Sequence, residues 1–116
     1  MQFRVIVLAM AMLVLSAAPA SSVRIIGYGL LSCGEWTDGR RTQGVDNVLH
    51  ASWALGYLSG INEAVSAVKK ADILVHQDAH GLLAWIDNYC RSNPLDKIKV
   101  ALDALVNELL KRANVK

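Results

Sequence analysis

The chain of 116 residues is poor in cysteine, proline and phenylalanine, with two, two and one of them, and it has no strong charge of one sign. It lacks a basic stripe interleaved with aromatic residues, which argues against nucleic-acid binding. It also lacks a phosphate-binding loop, a marked pair of acid–base carboxylates and a cysteine–histidine pair that could be activated for attack. These absences predict a protein that is not an enzyme and needs no cofactor.

The N-terminus has the three parts of an export signal. A positively charged start is followed by an apolar run over residues 5–15 and by Ala18-Pro19-Ala20, a small-x-small cleavage pattern. The run is shorter than the roughly 18 to 20 apolar residues that span a bilayer, so we expect cleavage rather than a membrane anchor. We therefore predict a signal peptide over 1–20, a single domain over 21–116, a periplasmic location and no membrane contact after cleavage.

Cys33 and Cys90 are the only cysteines in the chain. An exported protein meets an oxidising compartment, which favours a disulfide between them. A bridge that closes a loop of roughly 60 residues would stabilise the domain by about 4 kcal/mol. Two buried free thiols and an intermolecular bridge are the alternatives.

The hydrophobic pattern predicts an all-α fold, a small disulfide-stapled bundle of about four helices. Residues 21–45 contain several glycines and polar residues, and we interpret them as an irregular lead-in followed by a solvated loop. We expect a long helix from about Asp46, as its N-cap, to about Lys70. A second helix should begin near an Asp78 cap and end at Ser92.

The last helix is predicted from its cap and its apolar seam. Asn93 suits the N-cap position and Pro94 the first helical position. The seam has unbroken 3-4-3-4 spacing and consists of Leu95, Ile98, Leu102, Leu105 and Leu109.

Small residues recur at four-residue spacing in the long helix: Ser52, Gly56, Gly60 and Ala64. This spacing makes a shallow groove along one side, which lets another helix or a ring approach the backbone closely. Because glycine inside a helix costs about 1 kcal/mol relative to alanine, close packing must offset the two glycines. We expect packing within the domain, with a homodimer interface as the alternative.

His76, Asp78 and His80 are the only cluster with metal-ligand character, and Asp72 or His50 could complete it. Asp78 is better explained as a helix cap, so we predict no metal. Three acidic residues are interpreted as solvated or helix-capping groups: Glu35, Asp87 and Glu108. The three tryptophans are expected in the hydrophobic core and at its rim: Trp36, Trp53 and Trp85.

Three segments together resemble the HdeA/HdeB-like family of small periplasmic helical proteins. They are Ser32-Cys33-Gly34, the helix Trp53-Ala54-Leu55-Gly56-Tyr57-Leu58-Ser59-Gly60, and Tyr89-Cys90-Arg91-Ser92-Asn93-Pro94-Leu95. The resemblance implies a four- or five-helix domain with one disulfide at the positions of Cys33 and Cys90. It also implies an acid-stress chaperone that partly unfolds at low pH and binds unfolded protein clients.

The Gly-Tyr-Leu-x-Gly helix and the helix that ends before Asn-Pro also resemble the Tai-type immunity proteins, periplasmic inhibitors of secreted cell-wall amidases. That resemblance implies a protruding loop that plugs the cleft of a partner enzyme. Residues 37–44 or 72–80 are the candidate loops.

Overall fold

A computed structural model describes residues 23–116, and the predicted signal peptide over residues 1–20 lies outside them. Within the described range the chain forms helices only, joined by turns. They are a 3₁₀ turn (Tyr28–Leu30) and the α-helices α1 (Cys33–Thr42), α2 (Val45–Lys69), α3 (Ala79–Ser92) and α4 (Ile98–Arg112). This confirms the predicted all-α, four-helix fold. No helix in residues 23–116 is both long and apolar enough to cross a bilayer.

Helix α1 lies where the sequence predicted a solvated loop, and that part of the prediction is wrong, whereas the predicted lead-in is irregular over residues 23–32 apart from the 3₁₀ turn. The helix begins with a reciprocal capping box. The Ser32 hydroxyl accepts from the Glu35 N–H at 3.2 Å, and the Glu35 carboxylate accepts from the Ser32 N–H at 2.7 Å. Burial of Trp36, which is 1% exposed, then anchors this polar helix to the domain.

Helix α2 has the predicted bounds to within one residue, but its N-cap is Gly44, and Asp46 lies inside the first turn. The predicted packing groove is also wrong. All four small residues lie on the exposed face of α2: Ser52, Gly56, Gly60 and Ala64. A Cβ added at Gly56 or Gly60 would meet no atom within 4 Å. The homodimer alternative stays a prediction.

Helix α3 begins as predicted, because the Asp78 carboxylate accepts from the Gly81 N–H at 2.8 Å. At its other end, Asn93 caps α3 instead of starting the next helix. The Asn93 backbone N–H and side-chain amide both donate to the Tyr89 carbonyl, at 3.0 and 2.9 Å.

Helix α4 begins at Ile98, so the predicted cap at Asn93 and helical position for Pro94 are wrong. The physical reason is the first turn of α1. Its Cys33 and Gly34 N–H groups donate to the carbonyls of Asp96 and Pro94, at 2.7 and 3.0 Å, so these carbonyls are not free to accept within a helix. Residues 93–96 instead form a turn, in which the Asp96 N–H donates to the Asn93 carbonyl at 3.2 Å. Leu95, expected in the apolar seam, is 92% exposed.

The rest of the seam is buried as predicted and forms the centre of the core with residues of the other helices and of the segment between α2 and α3. Its members are Ile98, Leu102, Leu105 and Leu109, and they join Leu58, Ile73, Ile86 and the two cysteines.

Candidate functional site

The disulfide joins the first residue of α1 to α3. Cys33 and Cys90 are bonded, with their Cα atoms 4.7 Å apart, and both are at most 1% exposed. The predicted pairing is confirmed. One end of α1 is therefore attached covalently to the core of the domain.

The other end of α1 is attached to α3 through Asp87. Arg40 donates from Nε and Nη2 to the two carboxylate oxygens of Asp87, each at 3.0 Å. The buried Trp36 indole donates to the same carboxylate at 2.7 Å, and Arg40 Nη1 donates to the Asn47 side chain of α2 at 2.7 Å. We call these four residues the α1 clamp. Its Arg40 lies about 10 Å along the helix axis from Cys33.

Sequence reasoning missed the clamp, because it placed Arg40 in a solvated loop and read Asp87 as a solvated or capping group. In the structure both side chains are 27% exposed and make a bidentate ion pair. A helical reading of residues 33–42 would have placed Trp36 and Arg40 one turn apart on one face, and this was the available signal.

The Glu35 carboxylate makes a further contact that depends on its charge, at the start of α1. The Ser32 backbone N–H, and after it the Ser32 hydroxyl, holds the pKa of Glu35 below its ordinary value of 4.5. The capping reading of Glu35 is confirmed. The charged form of Glu35 therefore stabilises the folded state, and that contribution is lost as the pH falls through the lowered pKa.

His50 lies beneath α1 and is the one polar side chain buried in the described residues, at 7% exposed. Its ring lies 4.8 Å from the Tyr28 ring and 6.4 Å from the Trp36 ring, and its Nδ1 atom has no hydrogen-bond partner. A Cβ at position 39 would approach His50 Nδ1 to 2.9 Å, so Gly39 allows the two helices to close on the imidazole. Sequence reasoning considered His50 only as a metal ligand.

The loop between α2 and α3, residues 70–78, is held by the Asn62 side chain. Its amide nitrogen donates to Asp72 at 2.9 Å, and its oxygen accepts from the Ile73 N–H at 2.8 Å. Ile73 is buried in the core, whereas Val75 is 49% exposed and His76 has a left-handed backbone with φ of 62°. Residues 37–44, the other candidate loop, belong mostly to α1.

The three tryptophans divide between core and rim. Trp36 is in the core, and Trp53 and Trp85 are partly buried and stack on Tyr57 and Tyr89, with ring centroids 5.5 and 5.7 Å apart. In the part of the chain that the structure describes, no three His, Cys, Asp or Glu side chains come together to hold a metal ion.

A comparison with known proteins finds no match to this chain among family models, curated proteins or solved structures. The resemblances to the HdeA/HdeB-like family and to the Tai-type proteins therefore stay predictions. The candidate functional site is defined by geometry alone, as a helix attached covalently at one end and through a carboxylate at the other.

Proposed function

We propose that the protein is a non-catalytic, exported stress protein that binds unfolded protein clients in acid. The observation that carries the proposal is the unequal attachment of α1, by a disulfide at Cys33 and by the carboxylate of Asp87 near its other end. Acid leaves a disulfide intact but neutralises carboxylates. A fall in pH would therefore release one end of α1 while the other stays in place.

Release of α1 would uncover apolar surface at a defined position. The helix packs on α2 and α3, and its largest buried side chain is Trp36. A carboxyl group without charge holds an arginine less strongly and accepts less well from an indole N–H, so acid would loosen the contacts of Arg40 and Trp36. The exposed ring and the surface beneath it would then be available to the apolar segments of an unfolded client.

The test compares suppression of client aggregation at about pH 2 to 3 with that at neutral pH, alongside binding of an apolar dye to the protein alone. We expect suppression and dye binding in acid only. The variant Asp87→Asn weakens the clamp and should move the onset of both to higher pH. Its matched control is Asp38→Asn, which removes the exposed partner of the adjacent Arg41.

Two results would contradict the proposal. One is an absence of client protection at every pH. The other is an unchanged onset in Asp87→Asn while that variant is measurably less stable than the native protein, because the clamp would then have no part in exposure of the apolar surface.

A second candidate function, inhibition of a secreted cell-wall amidase, is favoured by the loop over residues 70–78. Anchoring by Asn62 orders this loop before any partner binds, which lowers the entropy lost on binding. Val75 offers an exposed apolar side chain for an enzyme cleft.

This second function predicts tight inhibition of such an amidase at neutral pH, with no client protection in acid. Inhibition should be lost in Val75→Asp and retained in Asp87→Asn. That pattern would replace the chaperone proposal, whereas acid-dependent client protection without amidase binding would exclude the inhibitor.

A further inference from the structure

Three arginines meet in a cavity between α1 and α3. The cavity has a volume of about 290 Å³, and its walls include Thr37, Arg40, Arg41, Asn47, Asp87 and Arg91. A second cavity of about 300 Å³ lies over the disulfide and shares Thr37, Arg41 and Arg91 with the first. The two cavities therefore form one groove along the seam between the helices, and we call it the arginine groove.

Arg40 is a fixed donor at the base of the arginine groove. Its bonds to Asp87 and Asn47 hold the guanidinium, whose Cζ lies 5.9 Å from the centre of the Trp36 ring. A guanidinium has five N–H donors, so these bonds leave N–H groups on Arg40 without a partner. Because the side chain is already ordered, a ligand would lose little entropy in engaging it.

Arg41 and Arg91 form the two sides of the groove with most of their donors free. Arg41 pairs with Asp38 on the same helix, and Arg91 donates from Nη1 to the Asn88 side chain at 2.7 Å. Among residues 23–116, Arg91 has no carboxylate within ion-pair distance. The groove thus holds three guanidinium charges against the two carboxylates of Asp38 and Asp87, an excess of positive charge.

The geometry points to a binding site for a phosphate group in the arginine groove, held between Arg41 and Arg91 with Arg40 at the base. Guanidinium forks match the oxygens of phosphate and donate two bonds at once. A tetrahedral oxyanion can accept from several directions, as donors on three sides of a cavity require. The Thr37 hydroxyl, which also lines both cavities, can add a further donor.

The phosphate could be a free ion or the headgroup of a lipid, and the experiment separates these sources. The purified protein is titrated at neutral pH with inorganic phosphate, at constant ionic strength set with chloride, and backbone amide NMR shifts are followed. A parallel arm measures binding to vesicles that carry a phosphate monoester headgroup and to vesicles of a neutral lipid.

We expect saturable shifts confined to the arginine groove, with affinity reduced about tenfold in Arg91→Gln and in Arg41→Gln. Both side chains are on the surface, so these variants should fold. Arg91→Lys should recover only part of the affinity, because it keeps the charge and loses the fork. Arg112→Gln is the matched control, since Arg112 is an exposed arginine of α4 outside the groove.

Binding to the monoester vesicles alone, with the same dependence on Arg91, would assign the phosphate to a lipid. The proposal would be overturned if the shifts with inorganic phosphate did not saturate and the monoester vesicles bound no better than the neutral ones, or if Arg112→Gln lost as much affinity as Arg91→Gln. The measurement uses the folded protein at neutral pH without a client, so its outcome does not depend on the proposed function.

Discussion

Removal of the Asp87 carboxylate is the most direct test of how α1 is held. In Asp87→Ala the Trp36 indole, in a residue that is 1% exposed, loses its acceptor, and Arg40 loses both bonds of its ion pair. We expect the free energy of unfolding to fall by much more than it does when an ordinary surface carboxylate is removed.

The size of this loss in the free energy of unfolding follows from how deeply the affected groups are buried. A buried donor left without a partner costs about 1 to 3 kcal/mol. The Arg40–Asp87 pair is 27% exposed on each side, so it lies between a surface pair, worth about 0 to 1 kcal/mol, and a buried one, and we assign it about 1 kcal/mol. Asp87→Ala should therefore cost about 3 kcal/mol, whereas Asp87→Asn, which keeps an acceptor for the indole, should cost about half as much.

Urea unfolding followed by far-UV circular dichroism at neutral pH measures these differences, with the disulfide intact. Asp38→Ala is the matched control, because Asp38 pairs with the adjacent Arg41 at side-chain exposures of 63% and 79%. The control should cost less than about 0.5 kcal/mol. If Asp87→Ala destabilises no more than Asp38→Ala, the clamp does not hold α1 and the reasoning is refuted.

Three further predictions follow from other parts of the fold. Gly60→Ala should raise the free energy of unfolding by about 1 kcal/mol, since the added Cβ meets nothing; a loss of stability in thermal unfolding would mean that this face contacts another molecule. Glu35→Gln should be less stable than the native protein above about pH 5 in pH-dependent denaturation, and the difference should shrink as the pH falls through the lowered pKa of Glu35, because the carboxylate stabilises the folded state only while it is charged; a difference that does not shrink in acid would refute this. Asn62→Ala should speed hydrogen exchange of the Ile73 amide, and unchanged exchange would show that Asn62 does not order the loop.

The sequence was sufficient for the elements whose signals are local. The apolar seam from Ile98 to Leu109 repeats at helical spacing. Asp78 directly precedes the first residue of α3, which is the position from which a carboxylate caps a helix. The disulfide was predicted from the presence of two cysteines and from the expectation of export. These signals need no knowledge of the rest of the fold.

The errors concern residues whose conformation depends on distant partners. Helix α1 contains two glycines and a polar run, and its stability comes from the burial of Trp36 and the contact with Asp87, 51 residues away. The linker after Asn93 has a good helix-start pattern, but its carbonyls are used by the first turn of α1. The glycines of α2 suggested close packing, yet local spacing cannot show which face of a helix points outwards.

The environment of Trp36 makes this residue an optical reporter of its own helix. Its indole is hydrogen-bonded to a carboxylate, faces the imidazole of His50 and lies one turn from the disulfide sulfurs, whereas Trp53 and Trp85 lie on tyrosine rings at the rim. Disulfides quench indole emission. Native fluorescence should therefore come mainly from Trp53 and Trp85, and exposure of Trp36 to water on release of α1 should add a red-shifted signal. The protein thus carries an internal fluorophore at the junction on which its proposed response to acid depends.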